Sequence, residues 1–296
     1  MIAFAASVLF ILIWSTGFIV ARATVPFGAP ELILSARLTL TALLLGVIAW
    51  RTRQALPRGW RLMLHLMAGA MLHGVYLTVS WWAVYHGMPA GIMSLLGALQ
   101  PLMVAVASVA FLGDRLLGRA WAGLVIASAG VGCVLLPAIE RSGAGGIDIL
   151  PALAGLIAVI SMAGGTMVQR GAIAGDGIWI SGAAQNAGGA LVAIFAALTI
   201  GEFRWSNDPT LWAGLAWAVL GLSAGGLSLL VWLVRTQGAT RMSMLLLLVP
   251  PLAAVEAWVL FGERLGPIQL IGFALALVGV LLGRSQGKRE MVSEPA

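Results

Sequence analysis

The sequence predicts an all-α integral membrane protein with ten transmembrane helices, arranged as two inverted five-helix repeats. Three observations predict it. The chain is 60% hydrophobic and only 9% charged, whereas soluble domains carry roughly 25% charged residues. Its apolar runs reach about 20 residues, enough to cross a hydrocarbon core of roughly 30 Å as helices. Finally, FLGDRL at 111–116 returns as LFGERL at 260–265, an offset of 149 positions in a chain of 296.

The repeat extends well beyond those turns. Laying Ala90–Val131 over Ala239–Val280 without a gap gives 15 identities in 42 positions. They include Met93/Met242, Ser94/Ser243, Pro101/Pro250, Gly113/Gly262, Arg115/Arg264, Gly123/Gly272 and Gly130/Gly279. Shared apolar composition would scatter matching Leu and Ala, but would not align proline, glycines and arginine together. The period is too long for a solenoid.

Ten spans are expected, at about 2–21, 31–50, 62–84, 90–112, 120–136, 149–169, 178–200, 211–234, 242–261 and 268–283. The first lacks a basic leading region and reads as a retained helix. The connections are short and rich in Gly and Pro, as at Pro57-Arg58-Gly59 and Gly87-Met88-Pro89. The units expected are 1–140 and 141–284, followed by a cytoplasmic tail at 285–296.

Placing the amino end in the cytoplasm puts twelve Lys and Arg on the inner side and four on the outer. This positive-inside bias places both termini in the cytoplasm, with the chain multi-pass in the inner (plasma) membrane. The net charge of +6 therefore needs no nucleic acid to explain it. Trp50, Trp60, Trp121, Trp179, Trp205 and Trp212 fall at the expected span ends, where amphipathic rings prefer the interface. Five spans per half is an odd number, so the second half enters the membrane upside down. Two inverted halves form a transporter architecture, since rocking one against the other exposes a central site alternately.

Several segments resemble the drug/metabolite transporter superfamily in its EamA-type branch. IWSTGFIVAR (13–22) is similar to that family's W-G-S-x-F start, with Gly and Ser rearranged after Trp14. PELILSARLTLTALLL (30–45) resembles its second helix with a single intramembrane Arg, and FLGDRL and LFGERL resemble its F-L-G-E-R-L turns. The sixth span departs from the pattern, with Ala163 where a second Trp is expected. The resemblance implies carriage of small organic solutes, often outward, by a family that handles amino acids, drugs and other metabolites.

Candidate solute-binding residues follow from depth. His73 lies near the middle of span three, with Tyr76 and Ser80 on the same ideal helical face. A mid-membrane His is costly unless it faces protein or water, so it marks either a site or a hydrogen bond to a neighbouring helix. Gln100-Pro101 and the repeat-related Pro250-Pro251 are also near mid-depth, where a proline kink frees a backbone carbonyl. The kinks could serve the solute or only helix packing. Trp14 sits inside its span, followed by Ser15 and Thr16; its ring could stack on a flat or cationic solute, or pack between helices. Trp217 is a weaker case, and Trp81 and Trp82 read as belt or gate.

Arg37 and Glu256 are the strong charges well inside spans. Opposite sign and equal depth suggest an ion pair serving as a lock, a gate or part of the site. The 149-residue offset maps Arg37 onto Asn186, beside Gln185, which suggests a weaker polar contact at the inverse position. Gly123, Gly130, Gly272 and Gly279 read as close-approach positions between helices.

The sequence also narrows the function classes. It holds no G-x-x-x-x-G-K-[ST] phosphate loop, so ATP cannot drive transport through that machinery. His65, His73 and His86 form no metal-ligand cluster, Cys133 is a lone filler, and no cofactor or catalytic residue is expected. The expected partners are a small-molecule solute and the lipid bilayer, and two halves can complete a pathway in one chain without an oligomer. A channel-like pore and a membrane-embedded enzyme are the alternatives. His73 and Glu256 are the candidate proton sites if transport is proton-coupled; facilitated flow fits equally.

Overall fold

The computed structural model describes residues 2–112, 118–140, 148–172, 175–238, 242 and 245–284. The first Gly-acid-Arg turn (113–115) and the expected tail (285–296) lie outside them. The described residues form an all-helical bundle. Its elements are α1 (Ile2–Thr24), α2 (Pro30–Arg51), α3 (Trp60–Tyr85), α4 (Ala90–Gly97 and Gln100–Leu112), α5 (Gly118–Glu140), α6 (Ile149–Ala172), α7 (Ile178–Ile200), α8 (Pro209–Gln237), α9 (Leu246–Phe261) and α10 (Pro267–Arg284). Among the described residues, eight helical stretches are long and apolar enough to cross a membrane, and Leu246–Phe261 and Pro267–Gly283 are shorter apolar helices. Large apolar side chains such as Phe111, Phe195, Leu198 and Val259 point outward. A soluble protein does not sustain such a surface, and a lipid-embedded one requires it.

Local chemistry sets the helix ends. Pro30 and Pro209 open α2 and α8, where a missing N–H costs nothing. Asp208 caps α8 by accepting from the Thr210 amide at 2.8 Å. Gln54, from the α2–α3 connection, caps α7: its Oε1 accepts from the amides of Trp179 and Ile180 at 3.1 and 3.0 Å. α9 stops at Gly262, whose φ of 70° is left-handed. That explains the glycine of LFGERL, because a side chain there would be strained.

Two features interrupt the regular helices near mid-depth. α4 breaks at Ala98-Leu99, just before Pro101, and a short 3₁₀ turn, Leu246–Leu248, precedes Pro250-Pro251 in α9. More unexpectedly, α3 and α8 each contain a π-helical stretch, Ala70–Val75 and Trp217–Gly225. Adding 149 to 70–75 gives 219–224, inside the second stretch. Such widened turns are rare and concentrate at functional sites, and no periodicity in the sequence announces them.

The helices that touch most extensively are α5 with α10, α3 with α6 and α7, and α2 with α7. Small residues permit this. A Cβ on Gly123 would meet the Gly279 carbonyl oxygen at 2.6 Å, and one on Gly272 would meet that of Gly130 at 2.6 Å. The repeat-related glycines thus face each other across the α5–α10 seam. Cys133 is half-buried against the same seam, its Cβ 2.7 Å from where a Gly272 Cβ would sit.

Candidate functional site

A cavity of about 600 Å³ lies between the helices, within the range of roughly 300–1,000 Å³ typical of small-molecule sites. Its walls come from both halves: Trp14 and Phe18 of α1, Arg37 of α2, His73, Tyr76 and Trp81 of α3, Ser94, Gln100 and Pro101 of α4, Gln169 of α6, Ser181, Gln185 and Asn186 of α7, Ser223 of α8 and Pro250 of α9. The π stretch of α3 delivers His73 into it, and Gly189 of α7 lets that stretch approach: a Cβ there would sit 2.8 Å from the His73 Cβ. Tyr76 packs edge-on against Phe18 at 6.3 Å between ring centroids, and Phe10 tilts against Trp14 at 5.0 Å.

Two cavity amides have a fixed orientation. Thr166 donates its hydroxyl to the Met162 carbonyl at 2.9 Å, so its oxygen accepts from Gln100 Nε2 at 2.6 Å. Asn186 Nδ2 donates to the Gly182 carbonyl at 2.8 Å. In each amide the nitrogen is engaged and the oxygen remains as an acceptor. Gln169 donates to Gln185 Oε1 at 3.0 Å, continuing the polar wall toward the α6–α7 connection.

Of the residues singled out in the sequence, His73, Tyr76, Gln100, Trp14, Arg37, Pro101 and Pro250 line this cavity; Ser15, Ser80, Glu256 and Pro251 do not. Ser80 is fully buried and donates to the Leu77 carbonyl at 3.1 Å. The π stretch shifts the angular register of α3, so the cavity-facing positions beyond it are Tyr76, Leu77 and Trp81. Ser15, only 1% exposed, faces α9 and donates to Glu256 Oε1 at 2.6 Å.

That contact overturns the expected ion pair. Glu256 is held by Ser15, while Arg37 lies over the Trp81 ring at 5.8 Å, and no ion pair joins Arg37 to Glu256 among the described residues. Equal depth was a poor guide because α9 packs on α1 and α4, whereas α2 packs on α7 and α3. In a cycle of Arg37→Leu, Glu256→Leu and the double variant, the losses of folded yield should therefore add to within about 0.5 kcal/mol, as for separate sites. A double variant clearly better than that sum would restore the pair.

The two ends of the bundle differ. At one, Glu263 accepts from the Ala90 amide at 3.0 Å and meets Arg22 Nε at 3.4 Å, and burial pushes its carboxyl above the usual carboxylate range. There too Arg204 donates to the Pro26, Val25 and Gly28 carbonyls at 2.6, 2.8 and 3.3 Å, and lies 5.2 Å from the Tyr85 ring. Four connections are thereby sewn together. At the other end, buried His65 meets Asp176 through Nε2 at 2.8 Å and Gln185 through Nδ1 at 3.4 Å, and Arg61 donates to Asp176 at 2.8 Å. The hydrogen bond from His65, aided by Arg61, holds the Asp176 carboxyl below its ordinary value. A depressed acid stabilises the fold fully above its ordinary pKa of about 3.9, and the contribution fades as pH falls through the lower folded value. Acid unfolding below about pH 4 should accordingly be less steep in Asp176→Asn than in the parent. Identical profiles would show that the contact does not matter.

The polar wall of α6 and α7 is the part that sequence reading undervalued. Gln185-Asn186 and Gln169 are polar positions within or at the end of apolar runs, and that interruption was the available signal.

Comparison with known proteins decides the family. The EamA-like transporter family model matches residues 1–136 and 149–283. The chain belongs to the EamA-like transporter family. A Streptantibioticus cattleyicolor protein named as a probable terminal-alkyne amino-acid exporter is 28% identical over 297 residues, covering 98% of this chain and 96% of the relative. An uncharacterized Pseudomonas aeruginosa protein is 34% identical over 256 residues, covering 82% and 79%. A solved protein crystal structure superposes with a TM-score of 0.63 at 20% identity, covering 95% of this chain and 96% of the other. At that identity the likeness shows the fold alone. This EamA-like chain is thus a multi-pass membrane transporter and not an enzyme.

Proposed function

We propose that this EamA-like protein exports small organic solutes of amino-acid size and character by alternating access around the central cavity. The observation that carries the reading is the cavity itself, enclosed by both halves and furnished with aromatic faces, one cation and two oriented amide oxygens. Those oxygens suit a solute ammonium, and Trp14, Phe18 and Tyr76 suit an apolar side chain.

The architecture in this reading is ten spans in two inverted units, 1–140 and 141–284, with both termini cytoplasmic. The two π stretches one repeat apart support it, as do the facing repeat-related glycines of α5 and α10. The cavity reaches Leu45, Ile178 and Leu246 toward the end bearing His65 and Asp176, which the charge bias makes cytoplasmic. The sewn end is then the closed outer gate, and the carrier faces inward to load. A relative named as a probable terminal-alkyne amino-acid exporter supports the solute class.

Counterflow in reconstituted vesicles tests the reading. Labelled L-phenylalanine or L-methionine should enter faster when unlabelled solute waits on the opposite side, since a carrier exchanges and a pore does not. No acceleration by any member of an amino-acid panel would sink it. A reporter fused after Ala296 should be active only in the cytoplasm; periplasmic activity would overturn the orientation.

A further inference from the structure

Arg37 is the strong positive charge on the cavity wall, and among the described residues no Asp or Glu lines that wall. Its Nε is buried with no hydrogen-bond partner among the described residues. Beside it, 5.8 Å from ring centroid to guanidinium carbon, stands Trp81, whose Nε1 is also buried and has no partner among the described residues. Both atoms are N–H donors and neither side chain holds an acceptor. His73 and Tyr76 line the same cavity as this pair. A cation and two unmet donors at one corner of the chamber call for an anionic acceptor, and a planar fork fits a carboxylate with two parallel bonds.

From this geometry we infer that the Arg37–Trp81 corner is the subsite for a solute carboxylate, and that it selects acids and zwitterions against organic cations. The inference rests on the transport reading above and sharpens it by choosing among the solutes that reading admits. Selection works in both directions. An acid satisfies donors that otherwise stay unmet in a poorly solvated place, whereas a cation leaves them unmet and meets a like charge. Sites built to hydrogen-bond a group discriminate strongly against analogues lacking it. The subsite also explains why Arg37 is tolerated without an acidic partner: the solute supplies the counter-charge in each cycle.

The test uses the full-length protein in lipid nanodiscs and four probes sharing a phenyl body: 3-phenylpropanoate, L-phenylalanine, 3-phenylpropanamide and the phenethylammonium ion. Thermal stabilisation against probe concentration gives apparent affinities. The two carboxylates are expected to bind roughly ten- to a hundredfold more tightly than the amide, with the ammonium ion weakest. Arg37→Gln should erase that preference, carboxylate affinity falling to the level of the amide, and Arg37→Lys, which keeps the charge but loses the fork, should retain part of it. Amide or ammonium binding as tight as carboxylate binding would overturn the subsite, and so would an Arg37→Gln protein that still prefers carboxylates. Should Arg37→Gln fail to fold, the four probes on the parent protein decide alone. Vesicles that exchange amino acids while no carboxylate binds preferentially would reject the subsite and leave transport standing. Preferential carboxylate binding without exchange would reject transport and leave the subsite.

Discussion

Gly188→Leu is expected to abolish folded yield, and Gly69→Val to do the same. These glycines lie where α3 and α7 press backbone against backbone. A Cβ on Gly188 would fall on the Leu66 carbonyl oxygen, and one on Gly69 would fall on the Gln185 carbonyl oxygen. Carbonyl oxygens in a helix cannot swing aside as a flexible side chain can, so the helices must separate. Separation would unseat the π stretch that carries His73 and break the contact between Gln185 and His65. Overpacking typically costs about 1–3 kcal/mol even where side chains can yield, and here the obstacle is main chain. Gly17 and Gly46 provide the contrast, since a Cβ at either meets nothing within 4 Å. Gly46→Ala should keep the parental yield and melting temperature by size-exclusion fluorescence. Equal yields for Gly188→Leu and Gly46→Ala would mean that α3 and α7 do not pack as closely as described.

Much of this fold was legible in the sequence because the rules in lipid are few. Apolar length marks helices, since nothing else satisfies the backbone there, and the 149-residue offset singled out Gly123, Gly130, Gly272 and Gly279, which the fold sets crosswise, Gly123 against Gly279 and Gly130 against Gly272. Depth along a span was legible as well: His73, Tyr76 and Gln100 all reach the cavity. What could not be read was direction around the helix axis. Ser15 sits next to cavity-lining Trp14 yet faces α9, and the π stretch turned Ser80 away from the face on which an ideal wheel places it. Arg37 and Glu256 share a depth but lie on helices with different neighbours. The pairing of non-adjacent helices sets such contacts, and sequence spacing along one helix does not encode it. The Asp176–His65 contact escaped for the same reason, joining a loop to a helix 111 positions away.

His73→Leu is expected to cut solute counterflow by roughly ten- to a hundredfold, the cost of losing one well-placed polar contact in a desolvated site. Position argues for it. His73 occupies the widened turn of α3, lines the cavity with Tyr76 one turn on, and makes no hydrogen bond among the described residues that would assign it a structural task. Leu is close in size and apolar, so it preserves the packing against Gly189 and should leave yield and melting temperature near parental. Tyr76→Phe, which removes only a hydroxyl, is the milder companion and should lower flux less. Gln100→Leu should act differently from both, because it also strands the Thr166 hydroxyl oxygen and so lowers stability along with flux. The measurement is initial exchange rate per folded protein, with melting temperature recorded on the same preparations. Parental flux in His73→Leu would remove α3 from the solute path and leave the polar wall of α6 and α7 to carry recognition. A loss of flux that tracks a loss of melting temperature would instead make His73 a packing residue whose widened turn merely fits the space beside Gly189.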